Sequence, residues 1–151
     1  MDLTSRSEYA IHGLYYLTMQ EPGTATYVSE IARSQGVSES YLAKIFQSLA
    51  KNGLVTSFRG TNGGYALSRN PEDITLRQIV EAVEGSSPIF NCSGFKEICN
   101  LNLQCLIQGK FKEAEDKMFE VLDEVSLMSI LDELRGEPIV IDKNSNITLQ
   151  L

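Results

Sequence analysis

The sequence lacks any unbroken run of the roughly 18 apolar residues that a membrane-spanning helix requires, so no membrane partner is expected. It opens Met1-Asp2-Leu3-Thr4, without the basic stretch and apolar run of a secretory leader, and the expected compartment is the cytoplasm. It has no phosphate-binding glycine loop and no nucleophile beside a plausible base. Its one histidine, His12, falls in a predicted helix, so an enzyme is not expected. It has no CxxC pair, and three cysteines are an odd number. Neither a disulfide framework nor a typical zinc site fits that pattern. Internal repeats and low-complexity tracts are missing too. Positive charge is also short: the formal net charge is −7, which by itself argues against nucleic acid.

The distribution of charge changes that last inference. Residues 1–70 carry six basic and five acidic side chains, net +1, while residues 71–151 carry seven and fifteen, net −8. The near-neutral half can present a basic face while the acidic half points away from a polyanion. The length of 151 residues and the 42% apolar content suit one small domain with an appended dimerisation element.

Residues 4–20 read as a helix, with Ala10, Leu14 and Leu17 at helical spacing and a candidate capping box between Ser5 and Glu8. Glu21-Pro22-Gly23 stops it. Thr26 is a candidate N-cap for a short helix over about 27–34, and Gly36 is a turn. Ser38 caps a helix reaching about Asn52, with Gly53 placed as a left-handed C-cap. Two β-like runs, Leu54–Arg59 and Tyr65–Ser68, flank a Gly60–Gly64 tip. Residues 75–84 form another helix, with Leu76, Ile79, Val80 and Val83 on one face. A long amphipathic helix is predicted over 103–134, with an apolar stripe of Phe111, Ala114, Met118, Val121, Val125 and Met128. Its acidic residues, Glu113, Glu115, Asp116, Glu120, Asp123 and Glu124, read mostly as a solvated face. The tail alternates at Ile139, Ile141, Ile147, Leu149 and Leu151, a pattern for a hairpin around Lys143–Ser145.

Residues 28–49 carry the clearest motif. Ala32 is small where a second helix would cross, Gly36 makes the turn, and Val37, Leu42 and Ile45 fill the wedge of a helix-turn-helix. Leu42, Ile45, Phe46 and Leu49 face inward. An ordinary helical hairpin would share this pattern, but the glycine-tipped β-hairpin that follows at once gives the order of a winged helix. The fold expected is mainly α with a small β-hairpin: a winged helix-turn-helix plus a long dimerisation helix. The chain divides into a DNA-binding domain over 1–84, a cysteine-containing loop over 85–102, the long helix over 103–134 and a tail over 135–151. Ser38, Ser40, Tyr41, Ala43 and Lys44 at the start of the second helix are the candidate base-reading residues. Arg59 at the wing is suited to a narrow minor groove.

The runs Ser40-Tyr41-Leu42, Lys51-Asn52-Gly53-Leu54-Val55, Arg59-Gly60 and Gly63-Gly64-Tyr65, with Leu49, Leu3-Thr4 and Tyr9-Ala10, resemble one bacterial family of winged-helix iron–sulfur regulators. That family includes the regulators IscR, NsrR and CymR. The resemblance covers residues 1–134. It implies a homodimer on palindromic double-stranded DNA, with operator contacts from Ser38, Ser40, Tyr41, Ala43, Lys44 and Arg59. IscR-like members carry an acidic residue where this chain has Ala43, so base preference should differ.

Cys92, Cys99 and Cys105 are separated by six and then five residues. Spacing alone leaves both three unligated thiols and an iron–sulfur site open, since thiolates are the usual ligands of such clusters. The resemblance implies the cluster, with two or four irons. IscR-like members have a histidine three residues after the last cysteine, where this chain has Gln108. NsrR-like members supply an acidic ligand from the partner's first helix, and Glu8 occupies that place. The resemblance therefore favours the NsrR-like pattern, with Glu8 of the partner subunit as fourth ligand. Glu8 has a competing local role in the capping box with Ser5. His12, one turn on, reads as an exposed or satisfied histidine before it reads as a ligand. The function expected is a dimeric transcriptional regulator, repressor type included, sensing redox state, nitric oxide or iron–sulfur status. The alternative is a cluster-free regulator controlled by a protein partner or by thiol oxidation.

Overall fold

Capping and spacing signals in the first 70 residues build three helices and a hairpin, which we describe from a computed structural model covering residues 3–91 and 105–136. Cys92, Cys99 and the expected tail hairpin lie outside the described residues. Helix α1 spans Ser5–Thr18 and buries Ala10, Leu14 and Leu17. Its N-cap is Thr4, whose hydroxyl accepts from the Arg6 N–H. The expected Ser5–Glu8 capping box is not formed. Glu84, 80 residues away from Thr4, supplies the carboxylate instead, accepting from the Thr4 and Ser7 N–H groups at 3.0 and 3.3 Å and from both hydroxyls.

Helix α2, Val28–Gln35, starts one residue later than expected, with Tyr27 as N-cap. Thr26 is drawn away from capping by a two-way backbone pairing with Tyr65, at 2.9 and 2.8 Å. Gly36 closes α2 at φ +67, a conformation an L side chain resists, and this makes the sharp turn into α3. Helix α3, Glu39–Lys51, is capped by Ser38, whose hydroxyl accepts from the Tyr41 N–H. Leu42, Ile45, Phe46 and Leu49 are buried as the spacing predicts. Each such side chain contributes about 1.5–3 kcal/mol when fully buried.

Strands β1, Val55–Phe58, and β2, Gly64–Leu67, pair antiparallel, with Val55 opposite Leu67 and Phe58 opposite Gly64. The Phe46 ring lies 5.0 Å from that of Tyr65 and so joins α3 to the hairpin. After a 3-10 turn at Pro71–Asp73, helix α4 spans Leu76–Glu84. Thr75 and Gln78 form a complete capping box, and Ile79, Val80 and Val83 are buried.

The single helix expected over 103–134 is two helices, α5 at Leu106–Glu124 and α6 at Leu127–Gly136. Val125 is extended, and the chain there pairs with the segment before α4: the Leu76 N–H donates to the Val125 carbonyl at 2.9 Å and the Leu127 N–H to that of Ile74 at 2.8 Å. Leu127 and Leu131 then enter the core of the winged domain. These bonds and that burial outweigh a continuous helix, and the Ser126 hydroxyl restarts the chain by accepting from the Ser129 N–H. Helical periodicity runs unbroken across the interruption, which hides it in the sequence.

A Cβ on Gly64 would sit 2.2 Å from the Thr26 carbonyl oxygen, at a φ of +131. We expect Gly64→Ala to cost about 1–3 kcal/mol by urea unfolding, because the obstacle is backbone and cannot swing aside.

Candidate nucleic-acid interface and cysteine site

Helix α3 buries one face and leaves the other free. Ser38, Ser40 and Lys44 are exposed, with Gln47 and Lys51 continuing the same surface toward the C-terminus. Ala43 and Tyr41 are half-buried. The Tyr41 ring meets Tyr9 of α1 edge-on, with centroids 5.8 Å apart, so α1 fixes how Tyr41 is presented. Arg59 is exposed just beyond β1. The hairpin carrying it is held twice: along β2, one residue from the tip, by the Thr26–Tyr65 pairing, and at the tip itself by the Tyr27 hydroxyl, which donates to the Thr61 carbonyl. The structure thus carries the start of α3 and the wing on one packed body.

The sequence marks Tyr9 only as part of the family resemblance, not as a support for Tyr41, and does not mark Tyr27 at all. Tyr27 follows a residue whose capping role was misassigned.

The cysteine site is described at one of its thiols. Cys105 is the N-cap residue of α5 and is free and half-exposed. It lines a cavity of about 500 Å³ together with Pro88, Phe90 and Phe111. The Phe90 and Phe111 rings stack at 4.4 Å and 11°. The chain leading toward Cys92 and the helix beginning at Cys105 therefore border the same space. Glu8 and His12 are both exposed on α1, and the Glu8 side chain has no hydrogen bond among the described residues. Capping by Thr4 and Glu84 leaves its carboxylate unengaged. Among the described residues no three His, Cys, Asp or Glu side chains converge as metal ligands.

A family model described as "Rrf2: Iron-dependent Transcriptional regulator" matches residues 3–133. The chain belongs to the Rrf2 family. The IscR transcriptional regulator of Pectobacterium atrosepticum is 31% identical over 132 residues, covering 87% of this chain and 80% of that one. IscR of Serratia proteamaculans is 30% identical over 148 residues, covering 98% and 89%. The solved structure of T. potens IscR matches with a TM-score of 0.68 at 28% identity, covering 93% of each chain. CymR, the global cysteine regulator of B. subtilis, matches with a TM-score of 0.64 at 26% identity, covering 88% of this chain and 98% of that one. As an Rrf2 protein the chain is a DNA-binding transcriptional regulator of winged-helix type, and these relatives are regulators, not enzymes. Among the described residues no helix is long and apolar enough to cross a membrane.

Glu84 links α1 to the end of α4 in this chain. Partial burial pushes its carboxyl upward, but the hydrogen bonds from Thr4 and Ser7 outweigh that and hold it below the ordinary carboxylate value. A folded pKa below the unfolded one gives stability that is complete above the unfolded value and is lost as pH falls through the folded value. Urea titrations across that acid range should show a steeper loss for the wild type than for Glu84→Gln. At neutral pH, Glu84→Ala should cost about 0.5–2 kcal/mol, the range for losing a helix cap.

Proposed function

We propose that the chain works as a homodimer on a palindromic operator, reading bases through Ser38, Ser40, Tyr41, Ala43 and Lys44 and the minor groove through Arg59. We further propose that Cys92, Cys99 and Cys105, with Glu8 of the partner subunit, hold an iron–sulfur cluster that sets operator affinity. The observation carrying this reading is the meeting of Cys105 and the chain leading to Cys92 around one cavity. The residues fit such a group: Cys105 is a free, half-exposed thiol, and Glu8 is an exposed carboxylate relieved of capping. Thiolates with one weaker oxygen donor suit a cluster with an exchangeable iron. When bound, the cluster would supply iron chemistry responsive to redox state, nitric oxide or iron–sulfur status.

The dimer is supported by α5. Phe111, Ala114 and Val121 are exposed at steps of three and seven, with Val121 at 62%, and Ile107 extends the row by one turn. Met118, between them, is half-buried. Intervals of four and three residues from Ile107 to Val121 form the seam that two helices bury against each other. Val125 and Met128 leave this seam, because α6 turns back onto its own domain. A two-fold dimer would set two α3 helices for successive major grooves. Cys105 caps α5 and Glu84 ends α4, so a change in how the thiols are tied would be felt where the dimer helix meets the winged domain.

Two experiments test this. Val121→Glu should be monomeric by sedimentation where the wild type is dimeric, and should bind a selected operator about 10²-fold or more weakly through lost bivalency. Anaerobically purified protein should contain iron and sulfide, absorb in the visible range and change its operator affinity on treatment with nitric oxide. Equal affinity before and after treatment contradicts the sensing role. A colourless, iron-free anaerobic protein that still binds DNA favours control by a protein partner or by thiol oxidation.

A further inference from the structure

Helix α5 carries its acidic residues mostly in solvent, but Glu115 is only 6% exposed. The sequence pattern put it on the solvated face; the structure puts it beneath the segment that runs toward Cys92. A buried carboxylate is costly unless it is hydrogen-bonded, so its position calls for a specific partner. One oxygen accepts from the Ile89 N–H at 3.0 Å, and the Lys112 ammonium stands 3.7 Å from the other. One turn earlier on the same helix face, Phe111 stacks on Phe90. Two successive residues of the incoming chain, Ile89 and Phe90, are therefore fastened to two residues of α5, and the helix they are fastened to begins at Cys105.

We infer that Glu115 is a positioning residue for the cysteine segment, whose buried carboxylate clamps the chain entering Cys92 against the helix that starts at Cys105. Only two residue steps, about 7 Å at full extension, separate Phe90 from Cys92. Fixing Ile89 and Phe90 thus raises the effective concentration of the Cys92 thiol near Cys105 before any metal arrives. The value of this to metal binding rests on the cluster reading above. The clamp itself does not.

The test uses full-length protein and two readouts. In metal-free reduced protein, diamide oxidises two thiols to a disulfide and is itself reduced to the hydrazine; peptide mapping gives the rate of the Cys92–Cys105 bond. In anaerobically reconstituted protein, an iron chelator gives the rate of iron loss. Glu115→Leu should slow the Cys92–Cys105 bond and speed iron loss, each by about tenfold, the size expected for losing a hydrogen bond to a charged acceptor. Glu115→Gln keeps an acceptor oxygen and should stay close to the wild type in both. If Glu115→Leu does not fold, Ile89→Pro removes the donor from the other side and should give the same tenfold changes. Wild-type rates in the Leu or Pro variant overturn the inference, as does a Gln variant as impaired as Leu. A wild type that takes up no iron yet shows the tenfold difference in disulfide rate refutes the cluster reading and leaves the clamp standing.

Discussion

Phe46 is the side chain on which the DNA-binding half depends. It is fully buried in α3, its ring packs on Tyr65 of the wing, and its edge lies so close to α1 that a Cβ on Gly13 would come within 2.7 Å of it. One ring thus joins α1, α3 and the hairpin. Interiors packed at this density do not deform continuously. The start of α3 and Arg59 are therefore carried by one body. The proposed signal from the cysteine segment would have little room to act inside that body. In the proposed dimer it would have more room to act between the two copies.

The break at Val125–Ser126 fits that division of labour. Helix α6 gives Leu127 and Leu131 to the core, so α5 is fixed to the winged domain at its C-terminal end. Arg77 of α4 reinforces the attachment, pairing with Asp123 at 2.8 Å while its guanidinium lies 4.7 Å from the centre of the Phe119 ring. The other end of α5 is Cys105, next to Phe111 and Glu115. In the proposed dimer, the helix that would carry the interface is anchored in the DNA-binding domain at one end and in the cysteine segment at the other.

Much of this was legible in the sequence because the signals are local. Gly36, Ser38 and Gly53 sit where a turn, a cap and a stop are needed, and the inward spacing of Leu42, Ile45, Phe46 and Leu49 is what the fold buries. The readings that failed were all decided by distant partners. Ser5 and Glu8 have the spacing of a capping box, but Glu84 does the work from 80 residues away. Thr26 has the chemistry of a cap, but Tyr65 claims its backbone. Glu115 is indistinguishable by pattern from its exposed neighbours until Ile89 is laid over it. Helical periodicity continues from α5 into α6, so the interruption shows only once Ile74 and Leu76 claim the backbone around Val125 and Leu127. For the candidate DNA face, residue type and position were visible, while the support from Tyr9 and Tyr27 was not.

The proposed control acts outside the unit built around Phe46. Amide hydrogen exchange on DNA-free protein, with the proposed iron–sulfur cluster reconstituted and after its removal, tests it most directly. The account predicts unchanged protection for α3 and for β1–β2, with loss of protection confined to residues 85–91 and the first turns of α5. Loss of protection at Leu42–Leu49 on cluster removal would contradict it, because the signal would then be loosening the DNA-reading unit itself.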